Sequence, residues 1–173
     1  MCGHSCHLFV ISYHPDKDWL IEHGLCEDKA QCVEINDGYR YSLDCDLWGY
    51  GGVMIHELSH AYHHSYMPDG YDNKEIKDCY EAAMKNSWYH RVKVHGPQGP
   101  YAKAYACENC MEYFAELSAA FLGGRDGNVE FNKWFPFNRK QIKDYDPKGY
   151  EMLCRVWKVE DDVDNEYHDE AEA

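Results

Sequence analysis

The stretch Val53–Met67, VMIHELSHAYHHSYM, carries its apolar and histidine positions at helical spacing between a Gly49–Gly52 break and the stop signal Pro68-Asp69-Gly70. It therefore reads as a helix with an apolar side. Inside it, His56-Glu57-Leu58-Ser59-His60 is an H-E-x-x-H sequence. Residues four apart share a helix face, so two imidazoles one turn apart can aim a nitrogen each at a single Zn²⁺. Glu57, beside the first imidazole, can reach a water at that ion and act as its base. A catalytic zinc needs a third protein ligand and an open position. A metzincin continuation would require Gly at 63 and His at 66, but those positions are His63 and Tyr66. The other common solution is a glutamate from a later helix. Glu108, Glu112 and Glu116 stand at successive four-residue steps on or entering a predicted helix over 109–122. Glu108 falls at the frayed start, which favours Glu112 or Glu116, and spacing does not choose between those two.

Working outward, His7–Tyr13 reads as a short strand, and Pro15–His23 as a small helix with Gly24 behind it. Ala30–Ile35 and Tyr39–Leu43 read as two strands of a hairpin about Asn36-Asp37-Gly38. Asn73 can cap a helix reaching Asn86, Tyr89–Val94 alternates like a strand, and Gly96–Pro100 is a loop. The 109–122 helix is rich in small residues and stops at Gly123-Gly124. Asp146-Pro147 starts a last helix to about Lys158, with Tyr150, Leu153, Val156 and Trp157 on its apolar face. The expectation is an α+β fold, mostly helical with a small β-sheet, in a single domain over 1–159.

The 173 residues carry a net charge of -14, with 45% hydrophobic and 15% aromatic content, enough to build a core. Glu160–Ala173 holds eight of the 31 acids and neither Lys nor Arg, and reads as a solvated, disordered tail. With no basic stripe and no glycine-rich phosphate loop, nucleic acid and nucleotides are poor partners. The longest apolar run near the start, Leu8–Ile11, is too short for a signal peptide or a membrane span. Nine cysteines nonetheless favour oxidising, secreted or extracellular surroundings. His64, one further turn from His60, reads as a partly exposed helix residue. His4, His7, His14, His23, His90, His95 and His168 lack ligand spacing. Trp134-Phe135-Pro136-Phe137 reads as a core-packing turn.

Glu112-Tyr113-Phe114-Ala115-Glu116, downstream of His56-Glu57-Leu58-Ser59-His60, resembles the catalytic domain of anthrax lethal factor-like zinc peptidases, a gluzincin-type family. The resemblance implies a zincin-like fold and one catalytic zinc ion held by His56, His60 and Glu112. It also implies that Tyr105, seven residues before Glu112, assists catalysis, and that Glu116 steadies a ligand imidazole by its other N–H. The order of short motifs from Asp18-Trp19-Leu20 to Trp157 is similar to that of small zinc peptidase-like proteins and covers most of the chain. The implied activity is that of a metalloendopeptidase acting on a peptide or protein substrate, with a monomer favoured. Cys107-Glu108-Asn109-Cys110 departs from the family pattern. This pair can form a disulfide or, with Cys2 and Cys6, a second zinc site, the former favoured because a C-x₂-C pair needs partners of matching spacing. The alternative reading is an inactive zinc-binding protein or a disulfide-stabilised extracellular interaction domain.

Overall fold

A computed structural model describes residues 10–48, 52–123 and 132–160. The expected tail beyond 160, Cys2, Cys6 and the first part of the His7–Tyr13 strand lie outside them. Strand β1 (Ile11–Tyr13) leads into helix α1 (Lys17–Glu22), whose N-cap Asp16 accepts from the Trp19 amide. Strand β2 (Val33–Ile35) returns antiparallel to β1, pairing Ile11 with Ile35 and Tyr13 with Val33.

The expected hairpin about Asn36-Asp37-Gly38 is not formed. Residues Gly38–Trp48 are helix α2. Asp37 is the reason: its Oδ1 accepts from the Arg40 amide at 3.0 Å and its carbonyl from Tyr41 at 2.9 Å. A turn-forming aspartate thus serves as a helix cap, since both roles use the same short carboxylate. The partner of β2 is β1, across a connection that contains α1.

Helix α3 (Gly52–Tyr66) carries the H-E-x-x-H sequence. Helix α4 (Lys74–Lys85) is capped by Asn73, which accepts from the Ile76 amide at 3.1 Å. Strands β3 (Val92–Lys93) and β4 (Tyr101–Ala102) pair antiparallel around the expected loop. Helix α5 (Cys110–Gly123) is followed by α6 (Arg139–Tyr145), absent from the sequence reading, and by α7 (Pro147–Trp157) with proline in its first turn. The described residues are mostly helical, with two small two-stranded sheets. No helix among them is long and apolar enough to cross a membrane.

α5 is the axis of the core. Residues 113–121 along it are all buried, and they pack against α3, α4, α6 and α7. Tyr113, Phe114, Leu117 and Phe121 are fully enclosed with Ile76, Ile142 and Leu153. Each such side chain contributes about 1.5–3 kcal/mol over its exposed state. Asp146, 1% exposed, ties this core together: Oδ1 caps α7 through the Gly149 amide, while Oδ2 accepts from the Tyr89 and Tyr113 hydroxyls at 2.9 and 2.6 Å. Position 149 has no room for a side chain, because a Cβ there would meet Tyr113 Oη at 2.6 Å. A smaller cluster of Ile11, Trp48 and Val53 seats β1 and α2 on the start of α3.

Candidate metal centre

α3 and α5 make the most extensive helix pair, and their contact brings together residues more than fifty positions apart. From α3, the 3.6-residue period turns His56 and His60 toward α5. Ser59, buried between them, satisfies its hydroxyl on the Ile55 carbonyl at 2.7 Å. From α5, Glu112 sits in the first turn. There Asn109 Oδ1 accepts from the Met111 and Glu112 amides, both at 2.9 Å, so the cap holds the backbone from which Glu112 projects.

The three side chains converge on one point. His56 Nε2 lies 3.0 Å from Glu112 Oε2, His60 Nε2 lies 3.2 Å from that same oxygen, and the two imidazole nitrogens are 3.1 Å apart. This is a nearly equilateral triangle of ligand atoms. Three ligands on a tetrahedral zinc at roughly 2.0–2.1 Å stand about 3.3 Å from one another, so the donor set fits that ion with little adjustment.

Glu116, one turn further along α5 and 1% exposed, approaches the opposite edge of the same ring, with Oε1 3.3 Å from His56 Nδ1. Asn132 Nδ2 donates to Glu116 Oε2 at 3.3 Å and so orients it. With a cation at Nε2 the ring proton would stand at Nδ1, on the side that faces the Glu116 carboxylate. Spacing left Glu112 and Glu116 open; their different depths place one at each nitrogen of His56.

The same two carboxylates raise the proton affinity of this ring. Burial alone would lower the His56 pKa, but the Glu112 and Glu116 carboxylates outweigh it and push it up to about 10. Burial would raise Glu112, yet hydrogen bonds from His56 and His60 carry it down to about 2. Glu57 projects from α3 beside this cluster, and its Oε2 accepts from the Tyr13 amide of β1 at 2.7 Å. Burial pushes the Glu57 carboxyl above its usual range, in the direction a proton-accepting carboxylate needs.

The cluster opens onto a cleft of about 540 Å³, lined by β1, Trp48, Tyr71, Tyr105, Lys133 and Trp134 among others. Tyr105 is in place, with its ring 6.3 Å from that of His56 at 28°, and burial and the Glu112 carboxylate push its phenol up. Tyr101 is exposed beneath Arg91 and Lys93, away from the cleft. Glu108 is exposed and paired with Lys103. His64 Nδ1 lies 3.1 Å from Tyr13 Oη. His14 is buried against Glu34, at 2.9 Å. Cys107 and Cys110 carry free thiols, so the expected disulfide pair is not bonded in this structure.

Tyr71, Trp48 and Lys133 are among the cleft residues that the sequence reading did not reach. Tyr71 follows the Pro68-Asp69-Gly70 stop, which signals only a helix end. Trp48 ends α2, of which the sequence reading covers only Tyr39–Leu43, as a strand. Lys133 precedes a segment read as packing: Phe137 is buried, Trp134 and Phe135 pack against the main core, and Trp134 also lines the cleft. Only the aromatic content of those segments could have pointed to them. No protein-family model, curated protein or solved structure matches this chain, so its function is read from its own side chains.

Proposed function

We propose that this chain is a zinc-dependent peptidase of the gluzincin type, with a zincin-like arrangement of α3 and α5. His56, His60 and Glu112 would hold the ion. The observation that carries the reading is the 3.0, 3.1 and 3.2 Å triangle formed by their ligand atoms, with Glu116 behind His56. A surface histidine pair would not require a carboxylate from a second helix at both nitrogens of one ring.

Zinc bound there supplies Lewis acidity, polarising a peptide carbonyl and making water easier to deprotonate. The chain's own groups do the rest. Glu57, raised by burial, takes the proton of the attacking water and returns it to the leaving amine. Tyr105, protonated at all working pH values, donates a hydrogen bond to the oxygen on which charge develops. Glu116 keeps the His56 ring oriented, and β1 forms one wall of the cleft where an extended peptide lies.

The test is metal content with and without turnover. The purified chain is expected to retain about one zinc per molecule. Glu57→Gln keeps that zinc and an acceptor for the Tyr13 amide, and loses peptide cleavage by about 10²–10⁴-fold in a library digest. A Glu57→Gln chain that cleaves as fast as the parent sinks the mechanism. A chain that purifies and refolds without zinc sinks the metal centre.

A further inference from the structure

Lys133 is the only lysine or arginine among the described residues lining the cleft, and its backbone is held firmly. Its carbonyl accepts from the His95 amide at 2.8 Å, and its amide donates to Asn132 Oδ1 at 2.9 Å. The next residues pair with β3: Trp134 bridges Val94, and the Phe135 amide donates to the Lys93 carbonyl. Asn132 is the residue that orients Glu116, so the lysine and the metal centre share one support.

From that fixed backbone the ammonium reaches over two indole rings, 5.9 Å from the centre of Trp48 and 5.6 Å from the centre of Trp134. Trp48 in turn meets the His56 ring edge-on at 5.4 Å. The charge therefore stands one ring away from the metal ligands. Indole faces attract a cation but accept no strong hydrogen bonds, leaving an ammonium with three donors to satisfy. Among the described residues no carboxylate lies within ion-pair distance of Lys133 Nζ. Two of the three cleft acids are otherwise engaged, Glu57 with the Tyr13 amide and Glu112 with both histidines. The third, Asp44, stands one helical turn from Trp48 on α2.

We infer that Lys133, clasped by Trp48 and Trp134, is a carboxylate subsite of the cleft, so that the favoured substrates are acidic peptides. The inference rests on the peptidase reading and narrows its substrate class. The carboxylate is that of an Asp or Glu side chain near the scissile bond, or a chain terminus. Half-enclosure between two apolar rings makes a charge-assisted hydrogen bond there stronger than on open surface.

Binding to the zinc-loaded Glu57→Gln chain tests this without turnover. Short end-blocked peptides are used, with one Glu walked through an Ala-rich frame, each measured against its Gln twin. A third series, Gln-containing with a free carboxyl terminus, separates the two sources of the carboxylate. At one position the Glu peptide, or in the third series the free terminus, is expected to bind about fivefold to tenfold more tightly. Lys133→Gln in the same background erases that ratio, Lys133→Glu inverts it, and Asp44→Asn preserves it. Equal affinities at every position, or a preference that survives Lys133→Gln, overturns the subsite. Because zinc content and parental cleavage are measured separately, a parent that cleaves with no acid preference sinks only the subsite, whereas one with no zinc and no cleavage sinks the peptidase reading itself.

Discussion

His63 carries an imidazole into the core with neither ring nitrogen hydrogen-bonded among the described residues, packed on Phe114 and Tyr71 and 0% exposed. Burial, with the neighbouring His60 and His64, lowers its pKa to about 4 from an ordinary 6.5. The unfolded chain therefore binds a proton below pH 6.5 that the folded chain refuses until about pH 4. The cost is absent above pH 6.5 and grows as pH falls through that window. His63→Leu removes it. The variant's urea midpoint is expected to fall less than the parent's between pH 7.5 and pH 5, a difference on the order of 1–2 kcal/mol at equal metal loading. Identical pH dependence would mean the ring is neutralised some other way. The contrast with its neighbours shows what single residues disclose. His56, Glu57 and His60 are legible because their chemistry is set by a four-residue spacing on one helix. The burial of His63 depends on Phe114 of α5, about which the α3 sequence is silent.

Helices disclose themselves at their ends. Asn73, Asn109 and Asp146 each stand where the sequence predicts a helix to begin, and each side chain accepts an amide proton from the first turn. The same chemistry misleads at Asp37, where Asn-Asp-Gly serves equally for a hairpin turn and for a helix cap. The short strand before it fits either outcome until β1 takes its place as partner. α6 is seven residues long and was not foreseen, since two turns carry too little periodicity to separate from a loop. At α5 the cap matters to function as well as to the fold. Asn109→Ala leaves the Met111 and Glu112 amides without their acceptor, so a loss of about 1 kcal/mol in stability is expected, read as a lowered urea midpoint. Fraying begins at the turn that carries Glu112, so zinc affinity falls too, measured by competition with a chromophoric chelator. Asn109→Asp retains an acceptor and restores both. A stability loss with unchanged zinc affinity would show that Glu112 is held by its contacts with the histidines alone.

On the scale of the whole chain, the feature that no local reading reaches is the closure of α3 on α5. Periodicity marks each as a helix with an apolar face, but which faces meet, and at what register, is decided together with core residues from other segments. That register brings Glu112 rather than Glu108 to the histidines and sets Glu116 behind them. It also makes the centre a bridge between two halves of the core, since α3 leans on the Ile11, Trp48 and Val53 cluster while α5 runs through the main core. A ligand that binds only the folded arrangement stabilises it by mass action, about 2.7 kcal/mol when present at a hundred times its dissociation constant. For a chain of this size each kcal/mol moves the melting midpoint by roughly 2–4 °C. Zinc added to chelator-stripped protein is therefore expected to raise the midpoint by roughly 5–10 °C, read by circular dichroism. Glu112→Ala should lose most of that shift and Glu57→Gln should keep it, because the former removes a bond between the two helices and the latter does not. If Glu112→Ala responds to zinc as fully as the parent, the ion is held by α3 alone and does not clamp α5.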